Sequence, residues 1–325
     1  MVNNVAKVSL PVDEELLIVK NSYKGKGNNK RISIVTGIHG DELEGQYVCY
    51  EINNRIKANI DALKGCVDIY PALNPFGIDT IMRGIPAFDL DMNRIFPGRL
   101  DGDMNESLAA DIIKDVSGSD LVIDIHASNM YLTEVPQIRI NELHKDVLLP
   151  FAKKANVDFI WVHSNATVLE STFAYSLNAK DTPTLVVEVG IGMRITKEYG
   201  NQLCDGIFEL MKELDIWDES KVSSPVKNES ASVETVISDG YDDVYFLNAE
   251  AAGIFIKEKN HGELVNKGDL IGRIVSPLTG DVLKEVTAPG DGWLFTIREY
   301  PLVMEGTLTG RILKKEVYDN FREGK

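Results

Sequence analysis

Cysteine is scarce in this 325-residue chain: Cys49, Cys66 and Cys204 are the three it has. Their odd number and the lack of C-x-x-C spacing argue against a disulfide framework and fit a reduced, cytoplasmic setting. No apolar run approaches the roughly 20 residues that a membrane-spanning helix needs, so no membrane association is expected. Met1–Leu10 lacks a basic start followed by an apolar core, so no secretory signal is expected either. Positive charge is in short supply: 34 Lys and Arg face 50 Asp and Glu, a net charge of −16. That balance argues against nucleic acid, whose binding draws on basic patches. It is silent on a small anionic substrate, because a local pair of arginines overrides a distant net charge.

What is present is alternation. Between about residues 30 and 220, apolar Val/Ile-rich runs at Ile32–Thr36, Val67–Pro71, Leu121–Ile125, Phe159–Val162 and Leu185–Val189 read as strands buried on both faces. Helical patterns at Glu42–Ala58, Glu106–Val116, Leu143–Lys154 and Lys197–Leu214 separate them. The alternation predicts an α/β fold around a largely parallel sheet. Ligands in such sheets collect at the carboxyl ends of strands. The polar stretch 223–232 reads as a linker. Beyond it, short runs at Ile254–Ile256, Leu270–Val275, Asp281–Val286 and Trp293–Ile297 sit between glycines and predict a small all-β domain. The expected units are therefore residues 1–222 and 233–325.

The chemistry lies at the strand ends. His39 and Glu42 stand three apart in Gly37-Ile38-His39-Gly40-Asp41-Glu42, just after the first run, and His126 ends the third. Two imidazoles and a carboxylate make a credible three-ligand zinc site, with the fourth position open as in catalytic zinc centres. Asp124 lies two residues before His126, on the same face of its strand, where it can hold that imidazole from behind. The loop from Asn74-Pro75 onward carries Arg83 and then Asp91-Met92-Asn93-Arg94. Arg94 offers a planar fork that matches a carboxylate, Asn93 adds donors for a second oxygen, and Arg83 is placed to face an oxyanion. Glu188 interrupts the apolar run Val186–Val189. A carboxylate in that setting is rare unless paired or functional, and it is a candidate general base. His144, His163 and His261 show no ligand spacing, although His163 follows a strand and borders the expected cleft. Trp161 and Trp293 read as core or interface.

In order and spacing these motifs, with Val187-Glu188-Val189-Gly190, resemble the succinylglutamate desuccinylase/aspartoacylase family of the zinc carboxypeptidase clan. The resemblance covers roughly residues 30–215. It implies a carboxypeptidase-like fold, with a central mixed, largely parallel sheet flanked by helices. It implies one zinc ion per chain on His39, Glu42 and His126, with Glu188 as general base and then acid. It also implies that Arg83 polarises the scissile carbonyl while Asn93 and Arg94 grip the substrate carboxylate. Aspartate-cleaving members carry a further Arg about ten residues before the catalytic Glu. Here Ser171–Asn178 has no Arg or Lys, which weighs against N-acetylaspartate and leaves the amino-acid side chain open. The tail is similar to the C-terminal part of bacterial members and loosely to a biotinyl/lipoyl-like barrel. It has no Lys in a Met-Lys-Met setting, so no carrier lysine is expected; walling the cleft or building a homo-oligomer is the expected role. The expected activity is hydrolysis of the amide bond of a small, carboxylate-bearing N-acyl amino acid. A short-peptide carboxypeptidase and a non-catalytic ligand-binding homologue are the alternatives.

Overall fold

The computed structural model describes residues 1–224, 230 and 232–323. Most of the expected linker, residues 225–229 and 231, lies outside the described residues. The strands of the first part are β1 (Val2–Ser9), β2 (Glu15–Lys24), β3 (Arg31–Thr36), β4 (Cys66–Tyr70), β5 (Leu121–His126), β6 (Leu132–Asn141), β7 (Phe159–His163) and β8 (Thr184–Gly190). Those of the second are β9 (Val236–Ser238), β10 (Val244–Asn248), β11 (Gly253–Lys257), β12 (Glu263–Val265), β13 (Leu270–Val275), β14 (Val282–Thr287), β15 (Gly292–Arg298), β16 (Leu302–Val303) and β17 (Leu308–Lys314). The α-helices are α1 (Glu44–Ala58), α2 (Pro75–Thr80), α3 (Met104–Val116), α4 (Lys145–Ala152), α5 (Phe173–Asn178), α6 (Lys197–Glu213) and α7 (Lys315–Glu323).

The middle of the main sheet, β4-β3-β5-β8, is parallel. β2 and β1 extend one side antiparallel. On the other side β6 pairs antiparallel with β8, and β15, β17 and β10 continue in the same sense. The result, among the described residues, is a mixed thirteen-stranded sheet. A separate antiparallel sheet, β14-β13-β11-β16, lies in the C-terminal part. The segment after residue 233 therefore builds its own small sheet and also lends strands to the large one.

Apolar residues bury both faces of the parallel strands. Ile32 and Ile34 on β3 and Ile123 and Ile125 on β5 pack with Val48, Ile52 and Ile56 of α1 and Leu203 and Ile207 of α6. On the opposite face, Val35 and Val122 pack with Leu108 and Ile112 of α3 and Phe173 and Leu177 of α5. Each such side chain contributes roughly 1.5–3 kcal/mol on burial. Helix α3 starts at Met104, ahead of the expected Glu106, because Asp103 and Glu106 form a reciprocal capping box. The registers Thr36↔Ile125 and His126↔Glu188 bring the carboxyl ends of β3, β5 and β8 to one edge.

Candidate metal centre

The chain reverses sharply between β3 and α1. Gly37 takes φ +71°, and a side chain on Gly40 would sit 1.9 Å from the Gly77 carbonyl carbon, so glycine is required for the passage. Glu42 lies in this turn, its amide donating to the His39 carbonyl at 3.4 Å. The expected helix start at Glu42 is thus two residues early, because the turn that brings His39 and Glu42 together is not helical.

His39, Glu42 and His126 are 3 %, 4 % and 5 % exposed. His39 Nδ1 lies 2.7 Å from Glu42 Oε1, and His126 Nδ1 lies 2.9 Å from Glu42 Oε2. One donor atom from each residue falls within 4.8 Å of the others, and among the described residues this is the one such cluster of three. Both Nδ1 atoms face the shared carboxylate, while both Nε2 atoms are held from behind. His39 Nε2 is 3.2 Å from Asp91 Oδ1, and His126 Nε2 is 3.2 Å from Asp124 Oδ2. A carboxylate behind each imidazole is the pattern that fixes the tautomer of metal-binding histidines. Two nitrogens and one carboxylate oxygen, buried and convergent, fit a divalent metal ion.

The electrostatics agree. Burial works against charge on both imidazoles, but Asp91 and Glu42 outweigh it at His39, and Asp124 and Glu42 outweigh it at His126. Both hold a proton above the ordinary histidine range. Burial also opposes ionisation of Glu42, yet the two imidazoles hold its carboxyl well below the usual range. Asp91 is held low in the same way, with burial opposed by His39 and Arg83. These protons are what a metal ion would displace.

Arg83 donates from Nη1 to Glu42 Oε1 at 2.9 Å, and its Nε is 3.5 Å from Asp91 Oδ2. Asn93 follows in a 3-10 turn that Asp91 caps, accepting from the Asn93 amide at 2.8 Å. The Asn93 side-chain oxygen accepts from the Phe173 amide at 2.8 Å, which ties this loop to α5. Arg94 is exposed and donates to the Asn93 carbonyl at 2.7 Å. Glu188 stands beside His126 in register, and burial raises its carboxyl above the usual range against the pull of Arg139 and His126. Arg83, Asn93, Arg94, Arg139 and Glu188 line one cavity of about 490 Å³ together with His39, Glu42 and His126, a volume suited to a small molecule. His163 lines it too, as does His144, which showed no signal in the sequence. Trp161 and Trp293 are core residues.

A family model, the succinylglutamate desuccinylase/aspartoacylase catalytic domain, matches residues 28–214, more than half of the chain. The chain belongs to that family. An N-alpha-acetyl-L-2,4-diaminobutyric acid deacetylase from Halomonas elongata is 30% identical over 112 residues, 34% of this chain. The match spans about a third, 32%, of that relative. A succinylglutamate desuccinylase/aspartoacylase from Rhodobacter sphaeroides superposes with a TM-score of 0.78 at 21% identity, over 95% of this chain and 93% of the other. The product-bound ectoine utilization protein of Ruegeria pomeroyi gives the same TM-score at 20% identity, with the same two coverages. The family's fold therefore extends through the C-terminal part of this chain.

For this family member, sequence reasoning passed over three residues of the site. Asp91 stands in the Asp91-Met92-Asn93-Arg94 motif without a role of its own there, yet its carboxylate touches His39, Arg83 and the Asn93 amide. Asp-x-Asn at a turn is a capping signal that would have singled it out. Glu134 and Arg139 lie on β6, which the pattern did not reveal as a strand. Their signal is a pair of opposite charges within Leu132–Ile140, whose other residues are uncharged.

Proposed function

We propose that this chain is a zinc-dependent hydrolase that cleaves the amide bond of an N-acyl amino acid. The observation that carries the reading is the convergence of His39, Glu42 and His126 at the ends of β3 and β5, with Glu188 beside them in the wall of one cavity. Zinc bound by those three residues supplies a Lewis acid and acidifies water at neutral pH. Asp91 and Asp124 orient the two imidazoles from behind. Glu188 takes the proton of the attacking water on its carboxylate and returns it to the leaving amine nitrogen. The upward pull of burial on that carboxyl suits a group that must both accept and release a proton.

Arg83, paired with Glu42 and Asp91 in the cavity wall, is the cation assigned to the oxyanion that develops on the substrate carbonyl. Asn93 and Arg94 hold the free carboxylate of the amino acid. The part of the cavity wall that α5 supplies, Ala174, Tyr175 and Asn178, carries no cation, which weighs against an aspartate side chain there. Asn178 spends its amide on the Thr184 backbone, and Tyr175 and His144 stand nearby. The deacetylase from Halomonas elongata acts on an N-acetyl amino acid, which supports the same substrate class here. The chemistry is assigned to residues 1–222, with residues 233–325 closing one side of the cavity through Arg311.

The test is a panel of N-acetyl and N-succinyl amino acids and dipeptides, offered to zinc-loaded and chelator-stripped protein. Hydrolysis of an N-acyl amino acid, lost on stripping and restored by zinc, is the expected result. Turnover of dipeptides alone would make the chain a carboxypeptidase. No turnover of any amide would make it a binding protein.

A further inference from the structure

Four charged side chains alternate in sign across the sheet behind the candidate base. On β17, β15 and β6 the residues Arg311, Thr296 and Glu134 stand in register. On β6, β8 and β5 the residues Gln137, Glu188 and His126 do the same. Glu134 and Gln137 are three apart and would face opposite sides of a regular strand. The register of β6 against β8 shifts between them, and that irregularity returns both to the cavity face. Arg139, two residues beyond Gln137, shares this face and lies diagonally across from Glu188.

The guanidinium of Arg139 spans the two rows. Nη2 donates to Glu134 Oε2 at 2.8 Å, and Nη1 is 3.3 Å from Glu188 Oε1. Gln137 donates to the same Glu134 oxygen at 2.8 Å. The other Glu134 oxygen accepts from Thr296 at 3.2 Å and from Arg311. Glu134 is fully buried, whereas the Glu188 side chain keeps 16% exposure at the cavity end of the chain of contacts. The arrangement is anchored at Glu134 and open at Glu188. A rigid planar fork with one arm on a buried anchor sets where the other arm points.

We propose that Arg139 is a positioning residue for Glu188, and that Glu134 and the C-terminal Arg311 hold Arg139 in place. This rests on Glu188 being the proton acceptor proposed above. It gives residues beyond 233 a part in the reaction. They do not touch the reacting atoms; they fix the frame from which the base is aimed. Arg139 is paired with Glu134 and Glu188 and its side chain is 29% exposed against 43% for Arg83, which favours aiming the base over receiving a substrate anion.

The experiment measures kcat, KM and zinc content for zinc-loaded wild type, Arg139→Gln, Arg139→Lys, Arg311→Gln, the Arg139→Gln/Arg311→Gln double variant and Glu188→Gln. The substrate is an N-acetyl amino acid that the wild type hydrolyses, with its N-succinyl analogue in parallel. Crystal structures of zinc-loaded wild type and Arg139→Gln add a readout that needs no turnover. Arg139→Gln should lower kcat by about 10- to 100-fold with KM within a few-fold and zinc retained, since a displacement on the order of 1 Å costs that much. Its Glu188 carboxylate should leave the wild-type position. Arg139→Lys should recover part of kcat, and it keeps the test alive if the Gln variant does not fold. Arg311→Gln should lower kcat less, and should add nothing on the Arg139→Gln background, as residues acting in series do. Unchanged kcat with Glu188 unmoved overturns the proposal. So does a rise in KM for the N-succinyl substrate alone, which would make Arg139 an acyl-anion receptor. Glu188→Gln separates the two readings: full turnover there removes the base itself. A dead Glu188→Gln beside a normal Arg139→Gln removes only the positioning role.

Discussion

Asp91→Asn takes a charge from behind His39 while keeping the shape of the side chain. The amide oxygen still caps the turn at Asn93, since Asn and Asp are equivalent caps. What is lost is the ionised partner 3.2 Å from His39 Nε2, which raises the basicity of that imidazole. Removing such a partner behind a metal-binding histidine costs about 10- to 100-fold in affinity, or about 1.4–2.8 kcal/mol. Exposure decides where each carboxylate falls in that range. The Asp91 side chain is 27% exposed, so water replaces part of its effect, whereas Asp124 behind His126 is 1% exposed. The hypothesis is therefore that Asp91→Asn weakens zinc binding about 10-fold and Asp124→Asn about 100-fold. Competition against a chromophoric chelator at neutral pH measures both. Affinities within twofold of wild type for both variants would show that the two carboxylates do not support the ligands, and the assigned metal geometry would fall with them.

Zinc affinity should drop as pH falls, because His39 and His126 hold protons above the ordinary histidine range and zinc must displace them; calorimetry in buffers of different ionisation enthalpy should detect proton release, and none would contradict this. In the metal-free protein the sign reverses: those raised values stabilise the fold below the unfolded histidine pKa, and the gain is lost as pH rises through the folded values. The depressed Glu42 and Asp91 stabilise it above the unfolded carboxylate range and lose that gain in acid. Chelator-stripped protein should accordingly melt highest in mildly acidic buffer, with zinc giving its largest rise in Tm at higher pH; a Tm gain from zinc that does not vary with pH would refute it. Arg94→Ala should lower kcat/KM for the free acid by about 10-fold or more and much less for its amide, because a charged hydrogen bond is worth roughly 1.5–3 kcal/mol; equal losses on both would move Arg94 out of the substrate site. Gly40→Ala should cost about 1–3 kcal/mol in thermal or denaturant unfolding, since its new carbon meets the Gly77 backbone; wild-type stability would mean that the turn is looser than drawn.

How legible the protein is in its sequence varies with the environment of each segment. β3, β5 and β8 are buried on both faces, so their apolar runs announce them, and His39, His126 and Glu188 stand out at or near their ends. β6 is also buried but carries Glu134, Pro136, Gln137 and Arg139, so neither alternation nor a continuous apolar run marks it. Glu134 among them is paired with Arg311, which lies 177 residues further on. No local pattern contains that information. α5 is six residues long and α2 has Gly77 inside it, too short for a helical period to show. The small sheet was legible through its glycine spacing, whereas the extension of the main sheet by β15, β17 and β10 depends on long-range pairing.

In the proposed reaction Glu188 works beside a metal held by His39, Glu42 and His126. Zinc content and amide hydrolysis, measured on one preparation of Glu188→Gln, test it most directly. The expected result is about one zinc per chain, as in the wild type, with kcat lowered by at least ~100-fold. Turnover within a few-fold of wild type at full zinc occupancy would contradict it.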